Sequence, residues 1–364
     1  MAKLTSMITV TKSFLPPIEE YMHQVQRAYD NQWLTNRGEL VRELETKIST
    51  YLRLTNTKML NTNNGTTPLQ IALKCLGENG EIITTPLSYV ATTAAIVWEN
   101  CSPVFVDINP DYLTIDETKI EAAITDKTTC ILATHVYGNP CNVEEIDRIA
   151  KKHNLKVIYD AAHCFGVKYK GKSIFEYGDV STCSFHATKI FHTGEGGALF
   201  CKNEKLFDEL FYRHNFGHDG PINFHGLGIN GKMSELSAAM GLSVLPYMDL
   251  ISSRRKVVAD YYNDHIDFHR FQKLNLRNNI NWNYSYYPII FKTEKELIIV
   301  KQNLIESEII PRRYFNPSLN TINYVSNVKM PVSEKIANTV LCLPLHHDLK
   351  TKTLKKITNM LNLL

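Results

Sequence analysis

Lys156-Val157-Ile158-Tyr159-Asp160-Ala161-Ala162-His163 is the stretch whose reading decides the fold. A short run rich in β-branched and aromatic residues ends on a carboxylate, which reads as a strand that stops at Asp160. In an open α/β sheet ligands bind outside the carboxyl ends of the strands, so an aspartate there is placed to meet one. An aspartate can equally cap the turn that follows. The next strand candidate, Val180–Phe185, runs into His186-Ala187-Thr188-Lys189, which puts Lys189 29 residues after Asp160. Gly194-Glu195-Gly196-Gly197 follows, suited to a tight turn and close backbone approach.

Outward from this stretch the chain alternates. Strands are expected at Lys58–Asn61, Glu81–Thr84, Pro103–Asp107, Cys130–Thr134 and Ala198–Cys201. Helices are expected at 17–30, 39–54, Thr67–Leu76, Tyr89–Glu99, Ile115–Ala123, Val143–His153 and Leu206–Asn215. Such alternation indicates an α/β domain on a largely parallel sheet. A helical stretch from Ser234 to Asp264, broken at Pro246, comes next, then a strand at Tyr284–Phe291 and helices at Glu294–Glu306 and Thr353–Leu363. At roughly 150 residues per domain, 364 residues correspond to about 2.4 domains. The expected division is a large α/β domain over 1–250 and a smaller α+β domain over 251–364.

Composition excludes several classes. Forty basic and 37 acidic residues leave a net charge of +3, with no electrostatic footprint for nucleic acid. No apolar run approaches the length of a membrane span, and Met1 to Phe14 lacks the apolar centre of a signal peptide. None of the eight cysteines forms a C-x-x-C pair, so reduced, mostly buried thiols in the cytoplasm are expected. His346-His347 is too sparse for a metal site, and no metal is expected.

Two further segments converge on the same sheet edge. Asn63-Asn64-Gly65-Thr66-Thr67-Pro68 joins a strand to a helix, where hydroxyls and free N–H groups form an anion site. Thr84-Thr85-Pro86-Leu87-Ser88-Tyr89 places an aromatic just after a strand, able to stack on a flat ring. An anion cradle, an aromatic face, a carboxylate and an amine are the four elements of a pyridoxal phosphate site. The amine binds the aldehyde, and the carboxylate keeps the pyridine nitrogen protonated.

Asn63–Thr67, Asp160-Ala161-Ala162-His163, Ser184-Phe185-His186-Ala187-Thr188-Lys189, Gly194-Glu195-Gly196-Gly197 and Gly228–Glu235 together resemble the sugar-nucleotide aminotransferases of the DegT/StrS family. The resemblance runs from about Trp33 to at least Arg313 and implies the aspartate aminotransferase fold, fold type I. It makes Lys189 the lysine that binds pyridoxal 5'-phosphate and Asp160 the partner of the pyridine nitrogen. His163 would lie beside the ring oxygen, Tyr89 would stack on the ring, and Ser184, Thr66 and Thr67 would hold the phosphate, Thr67 through its backbone N–H. Asn230 would reach the phosphate of the other subunit's cofactor, which implies a homodimer with composite sites. Trp33, His186, Arg213, His214, Lys232, Arg313 and Tyr314 are expected to line the sugar or nucleotide pocket. The family commonly has Arg where Lys232 stands and Tyr or a similar residue where Gly231 stands. The implied reaction moves an amino group from L-glutamate to a nucleotide-linked ketosugar through the pyridoxamine form. Trp33-Leu34-Thr35-Asn36 and the histidine-bearing S-F-H-A-T-K point to C4 of dTDP-4-keto-6-deoxy-D-glucose, for surface glycan synthesis such as O-antigen. The alternatives are amination at C3 of a dTDP-3-keto-6-deoxyhexose and a non-catalytic, cofactor-binding regulator.

Overall fold

A computed structural model describes residues 7–363; residues 1–6, part of the segment read for a leader, and residue 364 lie outside it. Seven strands form the central sheet, in the spatial order 58–62, 197–201, 180–184, 156–160, 128–134, 81–84, 102–105. All run parallel except Gly197–Cys201, which is antiparallel to both of its neighbours. The mostly parallel fold type I sheet is therefore present. Alternate side chains enter opposite cores: Ile83, Ile131, Val157 and Ala198 on one face, Ile82, Leu132, Ile158 and Leu199 on the other. This two-residue period is why the strands read as near-continuous apolar runs, since helices cover both faces.

The helices Thr67–Leu76, Val143–His153 and Glu294–Glu306 occupy the expected spans. Pro246 breaks the long helical stretch into Glu235–Val244, a 3-10 turn at Leu245–Tyr247, and Met248–His265. Helix Glu39–Leu52 starts at Gly38, which has no side chain to cap it; the buried Glu235 carboxylate accepts the Leu40 and Val41 N–H groups instead.

A three-stranded antiparallel sheet lies toward the C-terminus, with Tyr287–Ile290 between Gln272–Lys273 and Val340–Leu343. Its own core gathers Val258, Tyr262, Ile289, Leu297, Leu341 and Leu354. A further cluster, with Leu87, Val136 and Tyr137 against Tyr286, Phe315 and Ile336, welds this part to the central sheet. The N-terminal strand Ile8–Thr9 pairs in parallel with Ile309–Ile310.

Three expectations need correction. Ile115–Ala123 is not an α-helix but two 3-10 turns, Glu117–Lys119 and Glu121–Ala123. Asp116 caps the first turn through the Thr118 N–H, and Ile115 and Ile120 are buried in the main core, so the segment is held as short 3-10 turns. The strand at Tyr284–Phe291 shortens to Tyr287–Ile290, because residues 283–285 bond elsewhere. Asn283 and Ser285 donate to the His163 carbonyl, while Arg255 takes the carbonyls of Tyr284 and Ser285. Helix Pro331–Thr339 and strand Val340–Leu343 were not anticipated. That helix is capped from afar, by Asp107 accepting the Val332 and Ser333 N–H groups at 2.9 Å each. No helix among the described residues is long and apolar enough to cross a membrane.

Candidate active site

Strands 156–160 and 180–184 are parallel neighbours, with Asp160 opposite Thr182. Their carboxyl ends therefore release Asp160 and the Lys189 loop on the same edge. The loop is closed by backbone bonds, Phe185 N–H to Gly196 O and Ala187 N–H to Gly194 O, both 2.8 Å. The Ser13 hydroxyl grips it from outside through the Ala187 carbonyl. Lys189 is thus in a turn beyond the strand, not on the strand itself.

A cavity at this edge is lined by Thr66, Tyr89, Asp160, His163, Ser184, His186, Lys189 and Tyr314 among the residues singled out from sequence. Lys189 keeps some surface open to the cavity, yet its amine is packed deeply. Burial lowers its pKa, and the Asp160 carboxylate opposes that shift. The amine sits 5.9 Å from the Tyr286 ring centre. His163 lies parallel to Phe315, with ring centres 5.6 Å apart, and edge-on to Tyr286. Its Nδ1 accepts the Tyr137 N–H at 3.2 Å, which leaves the proton on Nε2. Burial, then the Lys189 charge, holds the His163 pKa well below the usual histidine range.

The phosphate cradle departs from expectation. The Thr66 and Thr67 N–H groups both donate to Asn64 Oδ1, at 2.8 Å each, so Asn64 caps the helix itself. Thr67 is buried and does not line the cavity. The hydroxyls of Thr66 and Ser184 remain, brought together because residue 65 is glycine. A Cβ at Gly65 would lie 2.6 Å from Ser184 Cβ.

Several expected residues sit elsewhere. Arg313 pairs with Glu294 at 2.7 Å and donates to the Asn338 carbonyl; its neighbour Arg312 lines the cavity instead and donates to the Tyr314 hydroxyl at 2.6 Å. One residue faces the cavity and the next turns away, which the sequence Arg312-Arg313 could not decide. Trp33, Arg213, His214, Asn230 and Lys232 do not line the cavity. Trp33 is exposed. Arg213 donates to the Leu227 carbonyl at 3.0 Å, and buried His214 bonds the Phe211 carbonyl. Lys232 donates to Asn230 Oδ1 at 2.8 Å and lies 4.7 Å from the Phe216 ring centre. Gly231 is explained by packing, since a Cβ there would meet Thr67 Cγ2 at 2.8 Å. The sequence reading missed Tyr286, Arg312 and Phe315, which reach the cavity from the C-terminal part without any local motif.

The donor set fits pyridoxal phosphate: a deeply packed amine, a buried carboxylate, a neutral imidazole with its Nε2 proton free of the Tyr137 bond, and paired hydroxyls beside a glycine. Comparison with known proteins agrees. The chain is 38% identical over 362 residues to a dTDP-4-amino-4,6-dideoxy-D-glucose transaminase of Shigella dysenteriae, covering 97% of each chain. It is 37% identical to the Escherichia coli protein of the same name, covering 97% of this chain and 98% of that one. The crystal structure of DesI in the presence of its TDP-sugar product superposes with a TM-score of 0.91 at 29% identity, covering 98% of this chain and 92% of that one. The sequence profile of the DegT/DnrJ/EryC1/StrS aminotransferase family matches residues 17–362. The chain therefore belongs to the DegT/DnrJ/EryC1/StrS aminotransferase family, and pyridoxal phosphate is its cofactor.

Proposed function

We propose that the protein transfers the amino group of L-glutamate to C4 of dTDP-4-keto-6-deoxy-D-glucose, for surface glycan synthesis. The observation that carries this reading is the near full-length likeness to two transaminases of that name, joined to a cavity with a lysine amine beside an aspartate. When bound, pyridoxal phosphate supplies an electron sink for the carbanion formed at the donor's α-carbon. Lys189 would hold the cofactor through its aldehyde, and its amine would be the group that carries the proton at the reacting carbon. Its lowered pKa favours the neutral amine that this base needs. Asp160 would hold the ring nitrogen's proton, His163 would donate from Nε2 to the ring oxygen, and Tyr89 would cover the ring. The Thr66 and Ser184 hydroxyls would hold the phosphate. Arg312, with no carboxylate partner among the described residues, supplies a cation for the donor's carboxylate or the substrate's diphosphate.

In this reading the enzyme is a cytoplasmic homodimer, and residues 1–250 and 251–364 form its large and small domains. Ile222, Phe224 and Leu227 expose apolar surface in the segment leading to Asn230, which fits coverage by a second copy. Asn230 and Lys232 then serve the partner's site. Seven of the eight cysteines are buried, and all eight are unpaired, which fits a reducing compartment. Incubation with glutamate and a panel of dTDP-, UDP- and GDP-linked 3- and 4-ketosugars tests the assignment. The 4-keto dTDP sugar should be aminated at least tenfold faster than any other. Preference for a 3-ketosugar, or for another nucleotide, would overturn it.

A further inference from the structure

Asp160 is anchored by more than its strand. Thr92 Oγ1 donates to Asp160 Oδ2 at 2.6 Å. Ser88 Oγ lies 2.7 Å from Thr92 Oγ1, and Thr134 Oγ1 donates to Ser88 Oγ at 3.0 Å. All four residues are buried. A hydroxyl carries one proton, and that of Thr92 is committed to the carboxylate, so Ser88 must be the donor in the contact with Thr92. The proton order is therefore Thr134 to Ser88 to Thr92 to Asp160, with the carboxylate as terminal acceptor. The three supports come from different elements: Thr134 ends strand 128–134, Ser88 follows strand 81–84, and Thr92 lies in helix Val90–Trp98. Asp160 Oδ1 is fixed separately by the Ala162 N–H at 3.1 Å. The carboxylate cannot rotate without losing one of these bonds, and buried networks of this kind strengthen one another.

We propose that Thr92, backed by Ser88 and Thr134, is a positioning residue that sets the Asp160 carboxylate against the cofactor's ring nitrogen. The proposal rests on the role given to Asp160 above. The relay holds the carboxylate plane, so the cofactor meets a pre-oriented partner and does not have to order it on binding. Thr92→Val keeps the shape and removes the donor, while Thr92→Ser restores it.

The test titrates cofactor-free protein with pyridoxal phosphate by fluorescence and records the holoenzyme's visible absorbance against pH. Thr92→Val should weaken the cofactor about tenfold. It should also raise the absorbance midpoint by about one pH unit, because a less positive ring nitrogen leaves the lysine-bound nitrogen easier to protonate. Thr92→Ser should return both values to within about twofold and 0.3 unit of the parent. Thr92→Val with unchanged affinity and midpoint overturns the proposal, whatever its melting temperature. Ser88→Ala reads the same relay one step out if Thr92→Val does not fold; about threefold weaker binding is expected, and unchanged binding overturns the proposal. Asp160→Asn separates the two layers. If it also leaves affinity and midpoint unchanged, the role of Asp160 itself fails; if only the Thr92 variant is silent, the relay alone fails.

Discussion

The cavity at the carboxyl edge of the sheet and the outer segment 213–232 were both singled out from motifs, and they behave differently. Asp160, His163, Ser184 and Lys189 leave two neighbouring parallel strands, so the register that pairs Asp160 with Thr182 forces them together. Burial then shifts their chemistry, lowering the pKa of both Lys189 and His163. In the outer segment, Arg213 donates to the Leu227 carbonyl and Lys232 to Asn230, and a hairpin of two-residue strands at His218–Asp219 and Asn223–Phe224 carries Ile222 at 82% exposure. Strand register gathers Asp160, Ser184 and Lys189 within one chain. A surface hairpin gives its side chains no such environment, and acquires one only by meeting another surface.

The largest effect should come from breaking the first region. Lys189→Ala should lower kcat/KM by at least about 10³-fold. Borohydride reduction followed by peptide mapping should leave the cofactor's mass on Lys189 in the parent only. A variant that still turns over at the parent rate would remove Lys189 from the mechanism. Asn230→Ala probes the second region: cofactor affinity should fall about threefold to tenfold, as for one lost hydrogen bond. Unchanged affinity in a protein that sediments as a dimer would end the composite-site reading.

Acid should act on both regions alike, and by smaller amounts. Burial lowers His163 in the cavity, and His214 in the outer segment to about 4. His135 and His346, lowered to about 3 and about 4, behave alike. Each group is neutral when folded but takes a proton near pH 6.5 when unfolded, so the unfolded state binds more protons as pH falls. Stability should therefore decline below about pH 6.5, by about 1.4 kcal/mol per pH unit for each such histidine until its folded pKa is reached. His214→Gln should flatten the slope of denaturation free energy against pH by one histidine's share; an unchanged slope would refute its buried neutral state. The smallest effect is expected at Arg313→Ala, within about twofold in kcat/KM and about 1 kcal/mol in stability, since its ion pair with Glu294 is partly exposed. A tenfold rise in KM would return Arg313 to the substrate pocket.

Much of the fold was legible. Helices 67–76, 143–153 and 294–306 and strands 81–84 and 156–160 carry their period and their ends in local sequence. Segments settled by distant partners were not: Pro331–Thr339 is started by Asp107, and residues 283–285 are diverted from the sheet by His163 and Arg255. The site divides in the same way. Asp160, Ser184 and Lys189 follow strand ends that can be read directly. Tyr286, Arg312 and Phe315 come from the far end of the chain, and Thr92 gives no sign in sequence that it reaches Asp160.

By itself the sequence determined the α/β alternation, the strand ends, and the carboxylate, lysine and glycine turns that follow them, because hydrophobic period and turn chemistry are local. Only the tertiary structure decided that Arg312 and not Arg313 enters the cavity, that Asn64 takes the N–H groups of Thr66 and Thr67, and that the Thr92 hydroxyl reaches Asp160. Those choices depend on which buried donor has an acceptor within about 3 Å once the chain is packed, and that distance is not written in the spacing of residues.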